Sequence, residues 1–132
     1  MSGKGESCTV VVCDDQVEFR RLLTIVLGLD PRIRIVGEAG NGRQAVVLAE
    51  KLEPDLLLLD IAMPEMDGLE ALPCVRAVSP TTQVVMLTGM TATSIRERAL
   101  AAGASGFIEK GIDIDALCGR ILEICRDGKS AS

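Results

Sequence analysis

The chain has 132 residues, of which 48% are apolar, and a formal net charge of −5. This length suits one domain with a buried core, and the acidic balance argues against direct nucleic-acid binding, because phosphate backbones select basic surfaces. Histidine is absent, which excludes a Ser-His-Asp triad, a His-ligated zinc ion and a histidine general base.

The start of the chain and its cysteines bear on location. Residues 1–7 contain one lysine and no apolar core, so we expect a disordered segment and not a signal peptide. No apolar run approaches the roughly 20 residues that span a bilayer. We therefore expect a cytoplasmic chain without membrane contact. No C-x-x-C pair occurs, and the cysteines are expected to be reduced core or near-core residues. They are Cys8, Cys13, Cys74, Cys118 and Cys125.

Short apolar runs alternate with helical patterns along the chain. Pro31 breaks the first helical pattern, Asn41 is a suitable N-cap, Pro73 must lie in the first turn of its helix or kink it, and Gly103 is a C-terminal stop. The predicted elements, in chain order, are a strand over 8–13, a helix over 18–29, a strand over 32–39, a helix over 41–52, a strand over 55–60, a helix over 68–78, a strand over 83–88, a helix over 94–103, a strand over 106–110 and a helix over 113–125.

This alternation predicts an α/β fold, namely a flavodoxin-like, doubly wound, five-stranded parallel sheet. Right-handed crossovers favour the strand order 2-1-3-4-5 with helices on both faces. The run Leu56–Leu59 is the most apolar strand and should lie centrally. The domain is expected to span 8–126, followed by a frayed tail over 127–132.

Five polar side chains follow or end the predicted strands 1, 3, 4 and 5: Asp14, Asp15, Asp60, Thr88 and Lys110. Each has a local explanation, such as an aspartate that caps a helix or begins an Asx-turn, a strand-end hydroxyl bonded to its own backbone, or a solvated lysine. Those explanations do not account for all five at one edge of the sheet. Their convergence there favours a functional site.

The chemistry of this edge is that of oxygen ligands. Three clustered carboxylates repel one another, so one would be partly protonated or a cation would be present. Mg²⁺ suits such a site best, with Mn²⁺ as the alternative. A carboxylate beside Mg²⁺ and a lysine can act as a nucleophile toward phosphorus and form an acyl phosphate.

In order, "DD", "LLLLDIAMPEMDG", "VVMLT" and "GASGFIEK" make the sequence resemble the receiver domain of two-component response regulators. The resemblance covers roughly Thr9 to Cys125. The phrase "RIVGEAGNGRQAV" is similar to receivers attached to LuxR-type helix-turn-helix output domains.

The resemblance implies roles for the acidic residues and for the loop beside them. Asp60 would be the phospho-acceptor. Asp15 and Asp60 would ligate Mg²⁺ directly, Asp14 largely through water, and the Ala62 backbone carbonyl would complete the protein ligands. Met63, Pro64 and Gly68 would shape the loop that covers the site.

The resemblance also implies a switch. Thr88 and Lys110 would bind the phosphoryl group, and Phe107 would turn inward as Thr88 moves toward it. Many receivers have proline after this lysine, whereas this chain has Gly111. The positions that tune phosphoryl lifetime hold Ala62 and Met90, neither of which can activate a water, so slow self-dephosphorylation is expected.

A chain without histidine needs a separate histidine kinase or phosphotransfer protein as its donor. It would be no enzyme beyond phosphorylating itself from small donors and dephosphorylating itself. The expected output is transcription through a DNA-binding domain absent from this sequence; the alternative is a stand-alone phosphorelay or interaction receiver. The segment 90–103 and strand 5 would form a partner or homodimer face, in which Arg96 and Arg98 can be tested.

Three rival functions are alternatives to this assignment. A haloacid-dehalogenase-like phosphatase would need an acid two residues after the nucleophile, where this chain has Ala62. A flavin-binding module would need an aromatic stack, but Trp and Tyr are absent, and "DDQVEF" would repel a phosphate. A receiver-shaped interaction domain that takes no phosphate is the third.

Overall fold

The computed structural model describes residues 7–63, 65–89 and 93–131, with the backbone alone for 129–131. None of the helices in these ranges combines the length and apolar composition needed to cross a bilayer. The elements in chain order are β1 (Cys8–Cys13), α1 (Val17–Gly28), β2 (Ile33–Ala39), α2 (Gly42–Leu52), β3 (Leu56–Asp60), α3 (Gly68–Val78), β4 (Gln83–Thr88), α4 (Thr93–Ala101), β5 (Gly106–Glu109) and α5 (Ile114–Ala131).

The strands form one parallel sheet in the order β2-β1-β3-β4-β5. The predicted fold class and strand order are therefore confirmed. All five residues of β3 are buried, because successive side chains point to opposite, covered faces. Leu56 and Leu58 pack with α1 and α5, and Leu57 and Leu59 pack with α2, α3 and α4. Each buried leucine contributes roughly 1.5–3 kcal/mol, so β3 holds its last residue firmly.

The register of the strands decides which side chains meet at the carboxyl edge. The pairing of β1 with β3 continues so that Asp14 lies beside Asp60. The pairing of β3 with β4 places Thr88 one position beyond Asp60. The backbone N–H of Lys110 donates to the Thr88 carbonyl at 2.8 Å. The register of the strands thus brings the side chains at their carboxyl ends close together.

Local signals at the helix ends behave largely as expected. Asn41 is the N-cap of α2, and its side chain accepts a hydrogen bond from the Gln44 backbone N–H. Gly103 follows α4 with a φ of 108°, a conformation that favours glycine. Pro73 is the sixth residue of α3, so it lies beyond the first turn, where its ring removes one backbone donor.

The last helix is longer than the sequence pattern predicted. The prediction ended it at residue 125 and left a frayed tail, whereas α5 continues to Ala131. The added turn lies against the sheet, since a Cβ at Gly128 would come within 2.6 Å of the Gln83 side-chain nitrogen. Of the segment 1–7 only Ser7 lies among the described residues, and the domain boundaries stay predictions.

Two cysteines correct the expectation that all five are reduced. Cys8 and Cys125 form a disulfide, with Cα atoms 6.3 Å apart despite a sequence separation of 117. Cys8 begins β1 and Cys125 lies on the face of α5 that packs into the same core, so tertiary packing brings them together. Cys13, Cys74 and Cys118 are free.

Candidate functional site

Three carboxylates meet where β1 and β3 end. One oxygen each from Asp14, Asp15 and Asp60 lies within 4.8 Å of the others. Asp14 and Asp60 are buried, and Asp15 is exposed. The structure therefore brings together the three residues that the sequence placed at this edge.

Lys110 supplies the positive charge of the cluster. Its Nζ lies 2.9 Å from Asp14 Oδ2 and 3.3 Å from Asp60 Oδ2. Burial alone would lower the pKa of Lys110, but the two carboxylates outweigh it and raise that pKa. The same ammonium lies 4.8 Å from the centre of the Phe19 ring. Phe19 was not predicted at the site, because in the sequence it is one of several apolar residues at helical spacing in α1.

Two of the carboxylates also make local hydrogen bonds. Asp14 Oδ1 accepts from the Gln16 backbone N–H at 2.8 Å, and the Asp60 carboxylate accepts from the Ala62 backbone N–H. Asp60 therefore does begin an Asx-turn, as its local explanation predicts. The remaining carboxylate oxygens of Asp14 and Asp60 are still available to the cluster.

The surroundings of Asp60 favour its neutral form. Its pKa is raised to about 6, first by burial and then by the charge of Asp14, against the opposing effect of Lys110. Carboxylates crowded in this way either share protons or require a cation.

The donor set fits a hard cation. Asp14 Oδ2 is buried, with the ammonium of Lys110 2.9 Å away. The nearby Cys13 is no competing ligand, because burial above all raises the pKa of its thiol to about 12. That thiol contacts the Asn41 carbonyl and Met63 Sδ instead. An all-oxygen site of three clustered carboxylates suits Mg²⁺.

The predicted switch residues lie beside a cleft of about 740 Å³. Thr88 is buried at the end of β4, and Phe107 of β5 is half-buried. Both line this cleft together with Arg96 and Arg120. Met90 and Pro64, which the resemblance placed near the site, lie outside the described residues.

Comparison with known proteins settles the family. The response regulator receiver domain family matches residues 10–122. The chain belongs to this family. It is thus a receiver domain of the kind found in two-component systems, whose members interact with histidine kinases or phosphotransfer proteins and bind Mg²⁺ at an acidic aspartate cluster.

Its relatives differ in their outputs. The chain is 38% identical over 120 residues to a protein-glutamate methylesterase/protein-glutamine glutaminase of Nocardioides sp., covering 89% of this chain and 32% of that protein. It is 37% identical over 112 residues to the nitrate/nitrite response regulator protein NarL of Escherichia coli, covering 85% of this chain and 52% of NarL. The chain thus spans a third to a half of these relatives.

Solved structures agree with this assignment. The signal receiver domain of a Mycobacterium tuberculosis protein described as NarL is 33% identical, with a TM-score of 0.87 and coverage of 92% of this chain and 98% of that one. The response regulator domain of Thermotoga maritima CheB is 32% identical, with a TM-score of 0.81 and coverage of 92% and 96%. The similarity to receivers of LuxR-type regulators that the sequence predicted is confirmed.

Proposed function

We propose that this receiver accepts a phosphoryl group on Asp60 from a phosphohistidine of a separate protein, in a Mg²⁺-dependent reaction. The observation that carries the proposal is the position of Asp60. Its carboxylate ends a fully buried strand, 3.3 Å from the ammonium of Lys110, within a cluster of three carboxylates. A nucleophile held this rigidly beside a cation needs little but alignment with the donor.

The reaction balances without further reactants. An Asp60 carboxylate oxygen attacks phosphorus and forms the O–P bond of an acyl phosphate, while the N–P bond of the phosphohistidine breaks. The imidazole leaves with the bonding electron pair and takes up a proton from water. Asp15 and Asp60 would hold Mg²⁺ directly, Asp14 through water and Ala62 through its carbonyl, and the bound ion would supply positive charge for the phosphoryl oxygens.

The remaining site residues would respond to the phosphoryl group on Asp60. Lys110 would exchange part of its ion pairing with the carboxylates for a phosphoryl oxygen, and the Thr88 hydroxyl would donate to another. Phe107 would then move into the space that Thr88 vacates. Movement of these side chains would reshape the adjoining cleft, to which Arg96 of α4 contributes.

Intact-protein mass tests the acceptor directly. The chain is incubated with acetyl phosphate, with and without Mg²⁺, beside Asp60→Asn. Asp30→Asn is the matched control, because Asp30 follows α1 at the opposite, amino edge of the sheet. We expect a Mg²⁺-dependent gain of one phosphoryl group in the wild type and the control, and none in Asp60→Asn. No gain under any condition would overturn the proposal in favour of an interaction domain without phosphorylation.

We propose that the phosphorylated state controls transcription through a DNA-binding domain outside this sequence. The similarity to NarL supports this output, while the methylesterase relatives support a catalytic domain in the same place. The stand-alone receiver is the third alternative. An immunoblot of the native protein with an antibody against this domain separates the stand-alone receiver from the two fused forms, because a native polypeptide near 14.0 kDa leaves no room for an output domain.

A further inference from the structure

The loop between β3 and α3, residues 61–67, is closed at its base. The Gly68 backbone N–H donates to the Ile61 carbonyl at 2.9 Å. A Cβ at Gly68 would collide with the Asp60 carbonyl oxygen, so the two ends of the loop approach as closely as backbone allows. Asp67 then begins α3 with a capping box to Glu70, which fixes the exit of the loop.

Two further contacts hold this loop against its neighbours. The Gly42 backbone N–H donates to the Met66 carbonyl at 3.1 Å. Met63 Sδ lies 3.5 Å from Cys13 Sγ, and the same thiol lies 3.3 Å from the Asn41 carbonyl. Both contacts lead to residues 40–44, which comprise the connection after β2 and the first turn of α2 and which we call the α2 brace.

The α2 brace is itself tied together. The Gln44 side chain accepts from the Gly40 backbone N–H at 2.7 Å, and the Gln44 backbone N–H donates to the Asn41 side chain at 2.9 Å. These two hydrogen bonds of Gln44, to two neighbouring residues, make a firm support for the loop.

Gly42 is required for close approach. A Cβ at this position would lie 2.5 Å from the Met66 carbonyl oxygen, 2.8 Å from Met66 Cγ and 3.1 Å from the Ala71 Cβ. The first of these contacts is with backbone, which a change of side-chain rotamer cannot relieve. A substitution here must move either the α2 brace or the loop.

We propose that Gly42 is a positioning residue that sets the β3–α3 loop so that the Ala62 carbonyl reaches the Mg²⁺ ion; this rests on the proposed function. A push on Met66 cannot be absorbed at the closed base or in the capped first turn of α3. Because the α2 brace is held by its own two hydrogen bonds, the push passes back along the loop toward Ala62. The α2 brace contributes none of the residues that would hold the ion or the phosphoryl group.

The test compares Gly42→Ala with Gly119→Ala, a control in α5 whose added Cβ would meet nothing within 4 Å. Mn²⁺ binding followed by electron paramagnetic resonance, with Mg²⁺ competition, gives the metal affinity without any phosphorylation. The rate of phosphorylation from acetyl phosphate is then measured across Mg²⁺ concentrations. Loss of a residue that orients a metal ligand costs about 10- to 100-fold in affinity.

We expect Gly42→Ala to weaken Mg²⁺ binding about tenfold, and to keep the phosphorylation rate at saturating Mg²⁺ within about twofold of wild type. Gly119→Ala should match wild type in both. Wild-type metal affinity in Gly42→Ala, or a loss confined to the saturated rate, would overturn the inference. A wild type that binds Mg²⁺ but gains no phosphoryl group would overturn the proposed function instead.

A second variant covers the case in which Gly42→Ala does not fold. Gln44→Ala removes the bond between the Gln44 side chain and the Gly40 backbone at an exposed position. This loosens the α2 brace without a steric clash, and we expect Mg²⁺ binding to weaken about threefold. Unchanged affinity in a folded Gln44→Ala would overturn the inference.

Discussion

Asp60 carries its charge in surroundings that favour the neutral acid. It is 2% exposed, its neighbours include a second buried carboxylate, and its pKa of about 6 lies above the usual value of 3.8. In the unfolded chain the carboxyl ionises at its usual pKa. Without a cation, the Asp60 carboxyl is therefore harder to ionise in the folded state than in the unfolded chain. At neutral pH this difference lowers the free energy of unfolding.

We expect Asp60→Asn to raise the free energy of unfolding in EDTA. Between about pH 4 and pH 6 the unfolded chain releases its proton before the folded one does, so wild-type stability falls as pH rises. A pKa rise of roughly two units corresponds to at most about 3 kcal/mol at pH 7, and this penalty is absent in the variant. Urea unfolding at a series of pH values measures the difference. A wild type more stable than Asp60→Asn at pH 7 would contradict the cause assigned to the pKa.

A further prediction at the site concerns the lifetime of the acyl phosphate on Asp60. Ala62, two positions beyond the acceptor, presents a methyl group that cannot orient a water for attack on the acyl phosphate. We expect the phosphoryl group to persist for minutes or longer with Mg²⁺ present. The decay of the phosphorylated mass after removal of acetyl phosphate measures it, and a lifetime of seconds would show the prediction to be wrong.

At the scale of elements, α1 presents an apolar face to solvent. Leu22, Ile25 and Leu29 are 54%, 64% and 77% exposed, and they recur at helical spacing. The helix begins three residues after Asp14 and returns to the opposite edge of the sheet, so Leu22 is the member of this stripe nearest the acceptor site. An exposed apolar stripe that begins near the site is suited to bind a protein that brings a phosphohistidine to Asp60.

We expect Leu22→Glu and Ile25→Glu to slow phosphoryl transfer from a phosphohistidine protein about tenfold or more, which corresponds to the loss of about 1.4 kcal/mol of docking energy. Phosphorylation by acetyl phosphate should stay unchanged, because a small donor needs no docking surface. Val47→Glu in α2 is the matched control, since Val47 is 57% exposed. Equal slowing with both donors would assign the effect to the site and not to docking.

Helix α4 is weakly attached by comparison, since Ala99 is its one buried residue. Arg96 and Arg98 are exposed on it, and Arg96 lines the cleft beside Thr88 and Phe107. A helix with so little buried surface moves at low cost when its neighbours rearrange.

We expect Arg96→Ala and Arg98→Ala to weaken phosphorylation-dependent self-association while leaving phosphorylation intact. Each exposed arginine lost removes a charged contact at the edge of the partner face. Sedimentation with and without acetyl phosphate measures the association. Association that is unchanged in both variants would count against α4 as part of that face.

For the whole molecule, the Cys8–Cys125 disulfide links the first strand to the last helix. It closes a loop of more than a hundred residues, which restricts the unfolded chain strongly. Because both ends lie in the core formed by α1, α5 and the sheet, the bond also holds α5 to its neighbours.

We expect reduction with dithiothreitol to lower the free energy of unfolding by about 2–5 kcal/mol. Urea unfolding with and without reductant measures the change, and alkylation followed by mass analysis reports the state of the thiols. The double variant Cys8→Ser with Cys125→Ser should be insensitive to reductant, whereas Cys74→Ser, at an exposed free cysteine, should respond as wild type does. A wild type indifferent to reductant would contradict a stabilising role.

The local sequence pattern was sufficient to predict the strands and helices and much of the site. Runs such as Leu56–Leu59 predict a strand that is buried on both faces. Regular alternation of such strands with helices, joined by right-handed crossovers, favours one strand order. That order sends Asp14, Asp15, Asp60, Thr88 and Lys110 to one edge. These conclusions need only the period of the pattern and the handedness of the crossovers.

Tertiary structure alone decided the contacts between distant side chains. The ring of Phe19 beneath Lys110, the bond between Cys8 and Cys125, the added turn of α5 against Gln83 and the fit of Gly42 to Met66 have no local signature. Each depends on the distance and angle at which two elements pack. Such distances follow from the volumes of many side chains together, and no short stretch of sequence contains that sum.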